Sequence, residues 1–425
     1  MIIKDEKATL TIVKRIAQLL QEKGGRALLV GGCVRDAIMG ITSKDYDLEV
    51  YNLTCDEIKN SLAGEFELDL VGMSFGVMKV KHFDIDIALP RTENKVGSGH
   101  RGFMVEMNPT LTFTQAASRR DFTVNAIMQD PLTAEIIDPF GGINDINNKI
   151  LKHVSSHFTE DPLRVLRGMQ FVSRFNFTCA QDTLELCETL SQNELAKERI
   201  AQEWEKLLYK GNYISQGLKF LVDSKWIKFY PILYSFYQQS SLDNFVLWNK
   251  LLARLDNAIL YRTGNLEDDL ILMTSCLCAD FSSIKDIKEF LSSIWNKTSI
   301  LEYVPLFLEN LQLAKALSCK SASDGKLRRL ALKVKNPKLF LQVLKAIRFN
   351  NLEEVNALYN HFSRLNIHET SPVPIVQGRH LIAKGIKTGP QMGSLLKKCF
   401  EAQLDGVFDN LEDGLNYFEK LILLK

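Results

Sequence analysis

The 425-residue sequence has little of what marks a secreted, membrane-spanning or zinc-stabilised protein. Its first residues, MIIKDEKATL, carry charges where a signal peptide needs an apolar core. No uninterrupted apolar run is long enough to span a bilayer. The eight cysteines are scattered, and the close pair Cys276 and Cys278 has no second pair at zinc spacing. We therefore expect a cytoplasmic protein whose cysteines are free thiols.

The sequence also lacks a strong net charge, since 52 basic and 51 acidic residues leave a formal charge of +1. Any binding to nucleic acid must therefore depend on local clusters of basic residues. Strand-like patterns become rare after about residue 150, where helical periodicity dominates. We predict an α+β fold with a mixed α and β head, a boundary near 149–154, and an all-helical remainder.

The most informative stretch is LLVGGCVRDAIMG, residues 28–40. Its pattern predicts a strand, a glycine turn and a short helix. Gly31 and Gly32 let backbone N–H groups approach a phosphate closely, and the start of the helix adds a favourable dipole. Arg35 is placed to hold phosphate as well. The alternative is an ordinary Gly-Gly turn.

The next stretch, DYDLEV at residues 45–50, places two carboxylates close together. Side chains alternate along a strand, so Asp45 and Asp47 point to the same face. A divalent cation would offset their repulsion, and oxygen ligands favour Mg²⁺. Asp84 or Asp86, which alternate with isoleucines in a predicted strand over 83–89, could supply a third carboxylate. The alternatives are a surface aspartate pair and, for Asp86, a solvated strand face.

A second polar motif, ASRRDFTVNAIMQD, covers residues 117–130. Arg120 can hold a triphosphate through two parallel hydrogen bonds. Asp121 can accept a hydrogen bond from a ribose hydroxyl, and Asn125 has both donor and acceptor groups. The alternative is an exposed ion pair ahead of a core helix.

A third motif lies in the stretch 158–174, where we predict a helix with Asp161 as N-cap and Pro162 as its first residue. Asp161, Arg164 and Arg167 recur every three residues and share one face. A carboxylate and a guanidinium together match the amino group and unprotonated ring nitrogen of cytosine and adenine. On spacing alone, however, an i,i+3 salt bridge is the favoured interpretation.

Taken in order, GGCVRDAIMG with DYDLEV, then RRDFTVNAI, then EDPLRVLR, resemble the motifs of tRNA CCA-adding enzymes and bacterial poly(A) polymerases, the class II nucleotidyltransferases. The resemblance implies a nucleotidyltransferase head at 1–149, a neck at 150–210, a helical body at 211–365 and a helical tail at 366–425. It implies Mg²⁺-dependent addition of C, C and A to the tRNA 3′ end from CTP and ATP, with release of pyrophosphate.

The resemblance also assigns residues. Asp45 and Asp47 are expected to hold the metal and, with Asp86, to form the catalytic set. The residues expected to bind nucleotide are Gly31, Gly32, Arg35, Asp36, Arg120, Asp121, Asn125, Asp161, Arg164, Arg167 and Gln170. Gln170 departs from the family, which usually has arginine there.

Residues flanking the base-reading motif are expected to support it. They are Glu160, from EDPLRVLR, and Glu198, Arg199 and Glu203, from ERIAQEWEKLL. For the second group, an ordinary charged helix face is an equally good interpretation.

Two further segments resemble parts of the same family. RTENKVGSGHRGF, with Arg91, Glu93 and Lys95, resembles the flexible loop that helps the site change from cytidine to adenosine addition. Residues 372–406 resemble the C-terminal domain that contacts the outer part of tRNA. A basic run at 326–338 could contact RNA backbone, although a solvated helix face is the favoured interpretation.

Three alternatives stay open. One is an enzyme that adds only the final A, or only CC, although the CC-only type typically lacks the loop. Another is poly(A) polymerase, and the third is a catalytically inactive RNA-binding protein. Longer relatives carry a phosphohydrolase domain marked by His-Asp pairs, but this chain has no histidine between 158 and 360. We therefore expect no such activity.

Overall fold

The computed structural model describes residues 6–73, 76–95, 103–193, 195–319, 321–348 and 351–423. The chain divides into two compact units, residues 1–229 and residues 230–425. The described residues contain no helix with the length and apolar character needed to cross a membrane. All eight cysteines are free thiols.

A mixed sheet forms the centre of the first unit. The strands of this unit are β1 (Arg26–Val30), β2 (Tyr46–Tyr51), β3 (Leu68–Asp69), β4 (Val77–Val80), β5 (Ile85–Ala88), β6 (Arg91–Lys95), β7 (Phe103–Met107), β8 (Met128–Gln129), β9 (Ile136–Ile137), β10 (Ile150–Leu151) and β11 (Thr178–Cys179). Seven of them form one sheet in the order β3-β4-β5-β2-β1-β8-β9. Only the β2–β5 pair in this sheet is parallel. The predicted α+β class with a mixed sheet is confirmed.

The helices of the first unit follow from local sequence signals. They are α1 (Glu6–Gln21), α2 (Gly32–Ile38), α3 (Cys55–Leu62), α4 (Phe113–Ser118), α5 (Gly142–Asn147), α6 (Leu163–Phe175), α7 (Gln181–Glu188), α8 (Lys197–Lys210) and α9 (Ile214–Asp223). In α3, Thr54 and Glu57 form a capping box that satisfies the first backbone N–H groups. α6 begins at Leu163, one residue later than predicted, and Asp161 accepts a hydrogen bond from its first N–H.

The predicted boundary near 149–154 does not separate two compact units. Phe122, from the head, packs edge-on against Phe158 and Phe171 at ring distances of 5.5 and 5.7 Å. All three rings are buried, so one apolar core continues from the head into the neck. Burial of such aromatic side chains is strongly stabilising, which explains why the division falls after residue 229 instead.

The predicted loop over 91–106 is partly a hairpin. Residues 91–95 of β6 pair antiparallel with 103–107 of β7, from Arg91 opposite Met107 to Lys95 opposite Phe103. Pairing satisfies the backbone groups of both segments, which outweighs their polar and glycine-rich character. Residues 96–102, which include Gly97, Gly99 and Gly102 of the predicted loop, lie outside the described residues, as do the side chains of Glu93 and Lys95.

The described part of the second unit is all helical. Its helices are α10 (Pro231–Ser241), α11 (Val246–Ala258), α12 (Leu266–Cys278), α13 (Ile284–Ile294), α14 (Thr298–Glu309), α15 (Leu311–Ala316), α16 (Asp324–Val334), α17 (Pro337–Ile347), α18 (Leu352–Arg364), α19 (Gly378–Ala383), α20 (Pro390–Leu404) and α21 (Leu411–Leu423). The last three share an apolar cluster that includes Val376, Leu395 and Phe418. In the basic run, Arg329, Lys335 and Lys338 are ion-paired at 2.5 to 2.7 Å, which favours the helix-face interpretation of that run.

Close packing of α9 against α6 and α8 depends on Gly217. A Cβ atom there would lie 2.5 Å from Leu207 Cδ1 and 3.0 Å from the carbonyl oxygen of Met169. We expect Gly217→Ala to lower the free energy of unfolding of the first unit by about 1–3 kcal/mol through overpacking. Gly64→Ala is the matched control, because a Cβ there meets nothing within 4 Å. Urea denaturation followed by tryptophan fluorescence checks both, and equal midpoints would contradict the prediction.

Candidate functional site

A cavity of about 530 Å³ opens in the first unit beside the glycine turn. Its walls come from this turn, from β2, from residues 119–125, and from α6 and α8. Most of its charged residues are cations: Arg35, Arg119, Arg120, Arg164, Arg167, Arg174, Arg199, Lys206 and Lys210. The acidic members are Asp47, Asp121 and Asp161. Such a cavity suits a multiply charged anion, although net charge alone does not say which one.

The predicted strand, turn and helix around the two glycines are confirmed. Gly31 has a φ of 72°, which a side chain would strain, and a Cβ there would lie 3.1 Å from Arg120 Nη1. Gly32 is the first residue of α2. The buried thiol of Cys33 donates to the carbonyl oxygen of Val30 at 3.3 Å and ties the turn to the strand. The backbone of Gly31 and Gly32 therefore lines the cavity next to Arg120.

The three candidate catalytic aspartates lie on two neighbouring strands. Asp47 of β2 is directly opposite Asp86 of β5 in the parallel pair, and Asp45 is exposed just before β2. Asp47 is also exposed to solvent. Partial loss of hydration where it lines the cavity raises its pKa, and the negative charges of Asp86 and Asp45 raise it further against the opposing charge of Arg120.

This carboxylate pair fits a divalent cation. Asp86 Oδ1 is buried and has no hydrogen-bond partner among the described residues, which leaves an oxygen available as a ligand. A cation between Asp47 and Asp86 would also offset their repulsion. No three metal-ligating side chains are gathered within the described ranges, so water or a bound phosphate would complete the coordination.

Arg35 lines the cavity beside the glycine turn but is almost fully buried. It is 3% exposed, donates to Asp36 through Nε at 2.9 Å and Nη2 at 2.6 Å, and donates through Nη1 to Asn125 at 2.5 Å. Its guanidinium stacks on Phe175 at 4.6 Å. Burial lowers the pKa of Arg35, and Asp36 opposes that shift. Its predicted contact with phosphate stays a prediction.

Asp121 is engaged with other residues. It accepts from Arg167 Nε at 2.7 Å, from Asn125 Nδ2 at 2.9 Å and from the N–H of Phe122 at 2.8 Å. Burial alone would raise the pKa of Asp121, but Arg167 and these hydrogen bonds bring it below its usual value. Both carboxylate oxygens of Asp121 therefore already accept hydrogen bonds. A ribose hydroxyl would have to donate to a remaining lone pair, or Arg167 would have to move.

The two predicted base-reading side chains are each held by partners. Asp161 forms an ion pair with Arg199 of α8 at 2.8 Å. Arg164 donates to the carbonyl oxygens of His157 and Arg119, both at 2.7 Å. Both side chains line the cavity and are preoriented there, which a solvated salt bridge would not require.

The residues expected to support the base-reading motif differ in their contacts. Glu160 accepts from Arg119 at 2.9 Å, and Glu203 is 2% exposed and pairs with Lys206 at 2.7 Å. Glu198 is exposed in the first turn of α8, so its contact with the base-reading helix stays a prediction. Gln170 lines the cavity and is 4% exposed.

Sequence reasoning missed several cavity residues: Arg119, Arg174, Lys206 and Lys210. Arg174 lies one helical turn beyond Gln170 on α6 and 3.7 Å from Asp36, so a positive charge remains close to the expected arginine position. Helical spacing from Gln170 could have indicated it.

A second cavity, of about 380 Å³, adjoins the first. The two share four lining residues: Asp47, Arg119, Arg120 and Arg164. Asp86 and Arg91 line only the second. Asp47 therefore lies where the two cavities meet, with Asp86 on the side of the second cavity.

Residues 27–152 match the family described as the poly A polymerase head domain. This part of the chain is therefore similar to that head domain. Members of this family are expected to depend on a divalent metal, which agrees with the fit of a cation to Asp47 and Asp86.

Curated relatives share this head. The multifunctional CCA protein of Haemophilus ducreyi is 40% identical over 188 residues, which cover 43% of this chain and 44% of the relative. The protein of the same name from Pasteurella multocida is 41% identical over 187 residues, which cover 42% and 43%. The match thus spans less than half the length of these relatives.

Solved structures extend the likeness to the whole fold. A CCA-adding enzyme in complex with ATP has a TM-score of 0.71 at 21% identity, covering 99% of this chain and 96% of that one. The Bacillus stearothermophilus enzyme with CTP gives 0.69 at 22% identity and 98% coverage of both chains. The Thermotoga maritima enzyme with tRNA_CCA gives 0.63 at 19% identity and 99% coverage of both. The fold is therefore that of CCA-adding enzymes.

The raised pKa of Asp47 predicts that this site is destabilising without metal. In chelator, we expect Asp47→Asn to unfold at a higher temperature than wild type at pH 7. A folded-state pKa above the unfolded value of about 4 means that wild type loses stability as pH rises through it. The difference should therefore shrink toward pH 4.5, where Asp47 is increasingly protonated. Thermal scans between pH 4.5 and 8 test this, and a lower or unchanged melting temperature for the variant would contradict it.

Proposed function

We propose that this protein is a template-independent RNA nucleotidyltransferase that adds C, C and A to the tRNA 3′ end from CTP and ATP and releases pyrophosphate. We also propose that it acts in the cytoplasm. The supporting observation is the pair of cavities that meet at Asp47 and Arg120. Nucleotidyl transfer needs two substrates, a nucleoside triphosphate and an RNA 3′-hydroxyl, brought together at carboxylates and a divalent cation.

The larger cavity is the proposed site of the incoming nucleotide. Its glycine turn offers backbone N–H groups to the phosphates, and Arg120 beside Gly31 offers a bidentate donor. The other cations around it neutralise a triphosphate that carries several negative charges. Asp47 and Asp86 would hold Mg²⁺, with Asp45 just before the same strand and water or phosphate completing the coordination. The cation would supply charge to activate the 3′-hydroxyl and to stabilise the leaving pyrophosphate.

The smaller cavity is the proposed site of the RNA 3′ end. It contains Asp86 and Arg91 and shares its wall of arginines with the first. A strand that enters there would bring its terminal hydroxyl to Asp47 from the side opposite the triphosphate. In-line attack on the α-phosphate needs the nucleophile and the leaving group on opposite sides.

Asp161 and Arg164 are the proposed base readers. Their carboxylate and guanidinium accept from and donate to the amino and ring-nitrogen pair that cytosine and adenine share. Guanine and uracil present the reverse pattern, and each unmatched buried group costs about 1–3 kcal/mol. The ion pair of Asp161 with Arg199 supports this role, because it holds the carboxylate in one orientation.

Primer extension tests the assignment directly. Purified protein would receive Mg²⁺ and tRNA that ends before CCA, after C, or after CC, with CTP, ATP or both. We expect ordered addition of C, C and A and then a stop. Growth only from the CC end would instead indicate an A-adding enzyme, a ladder of A would indicate poly(A) polymerase, and no turnover would indicate an inactive RNA-binding protein.

Asp47→Ala should reduce nucleotide addition by at least about 1000-fold, because the cation loses its central ligand. Circular dichroism should show an unchanged fold. Asp69→Ala is the matched control, since Asp69 is an exposed carboxylate on β3 of the same sheet and outside both cavities. Retained turnover in the Asp47 variant would refute the metal-binding role.

Asp161→Ala should raise the relative use of UTP and GTP by about 10- to 100-fold, the equivalent of one lost discriminating contact. Arg199→Ala should act in the same direction more weakly, because it frees Asp161 without removing it. Gln202→Ala is the control, because Gln202 is exposed on the same helix and outside the cavity. Single-nucleotide incorporation kinetics with each of the four nucleotides measure the effect, and unchanged selectivity in Asp161→Ala would rule out base reading.

A further inference from the structure

We infer that Glu49 is a positioning residue that holds Arg120 toward the glycine turn and away from the metal-binding carboxylates. The inference rests on the proposed function, in which Arg120 binds the triphosphate. Glu49 belongs to none of the motif positions that sequence reasoning selected, and it does not need to touch substrate to act.

Both oxygens of the Glu49 carboxylate are in use. Oε2 accepts from Arg120 Nη2 at 2.8 Å, and Oε1 accepts from the hydroxyl of Tyr51 at 2.7 Å. Glu49 is 8% exposed, so this ion pair is shielded from the solvent that weakens surface pairs. A buried carboxylate held at both oxygens fixes the guanidinium that it binds.

Tyr51 anchors the arrangement from the other side. It is 2% exposed, and its ring packs edge-on against Phe113 at 4.8 Å. Burial, and then the negative charge of Glu49, raise the pKa of Tyr51 far above its usual value, so the phenol remains a donor. Asp47, Glu49 and Tyr51 alternate along β2 and share one face, so the anchor and the metal-binding carboxylate belong to the same strand.

The direction of Arg120 follows from this contact. With Nη2 bound to Glu49, Nη1 lies 3.1 Å from the position that a Cβ of Gly31 would occupy. Arg120 lines both cavities together with Asp47, yet the ion pair that it forms is with Glu49. Glu49 thus gives Arg120 a carboxylate partner outside the metal-binding pair.

Glu49→Gln separates positioning from charge, because the two predict opposite results. If only charge mattered, removing a carboxylate beside a phosphate-binding arginine would tighten the binding of an anion. If Glu49 positions Arg120, the same change should weaken the binding by about tenfold, the scale of one charge-assisted hydrogen bond. The probe is inorganic tripolyphosphate without metal, titrated into the full-length protein by calorimetry.

A double-mutant cycle identifies the residue through which Glu49 acts. In the Arg120→Gln background, Glu49→Gln should change the dissociation constant by less than about twofold, because its target is gone. Tyr51→Phe should weaken binding in the same direction but less, since it removes the anchor and keeps the ion pair. Glu67→Gln is the matched control, because Glu67 pairs with Lys81 on the surface at 3.2 Å.

The outcomes separate this inference from the proposed function. Weaker binding in Glu49→Gln that disappears in the Arg120→Gln background supports the inference, even if wild type extends no RNA and the proposed function fails. Unchanged or tighter binding in Glu49→Gln overturns it, even if wild type completes CCA. Additive effects of the two substitutions, or no binding of tripolyphosphate by wild type, also overturn it.

Discussion

The site depends on a buried chain of charged and amide groups that joins the glycine turn to α6. Arg35 beside the turn binds Asp36 and Asn125. Asn125 donates to Asp121, and Asp121 also accepts from Arg167 of α6. Removing one partner from such a buried set leaves an uncompensated charge, at a cost of about 3–5 kcal/mol. The glycine turn, Asp121 and α6 therefore cannot be moved independently, which agrees with their lying in one compact unit.

The same cavity contains features that oppose folding. Asp47 and Asp86 face each other across a strand pair, and nine cations surround the larger cavity. Like charges gathered in a partly enclosed space are unfavourable until an ion of opposite sign arrives. The protein tolerates this repulsion where a cation and a polyanion are expected to bind together. Several of the cavity's cations are already offset by acidic partners, as Arg120 is by Glu49 and Arg167 is by Asp121, so the repulsion is concentrated at Asp47 and Asp86.

Local patterns in the sequence were sufficient to predict the strand, turn and helix at the glycines, the strand of Asp47 and the base-reading helix within one residue. They were sufficient because each signal lies within a few residues of the element that it defines. The parallel pairing that places Asp86 beside Asp47 joins strands almost 40 residues apart, and only the family resemblance selected that aspartate. Ion pairs such as Arg167 with Asp121 and Arg199 with Asp161 connect separate elements, and no local period encodes them.

Glu49 shows that a residue inside a sequence motif can have a role that the motif does not reveal. In sequence it is a polar residue in a strand whose neighbours are apolar, and a strand face exposed to solvent would explain it equally well. In the folded protein α4 and Arg120 cover that face, so the Glu49 carboxylate is buried. A buried carboxylate must be paired. The contact with Arg120 that offsets the burial of Glu49 also fixes the direction of the Arg120 guanidinium. A residue that orients a ligand-binding arginine can therefore be found by identifying the buried carboxylates that pair with that arginine.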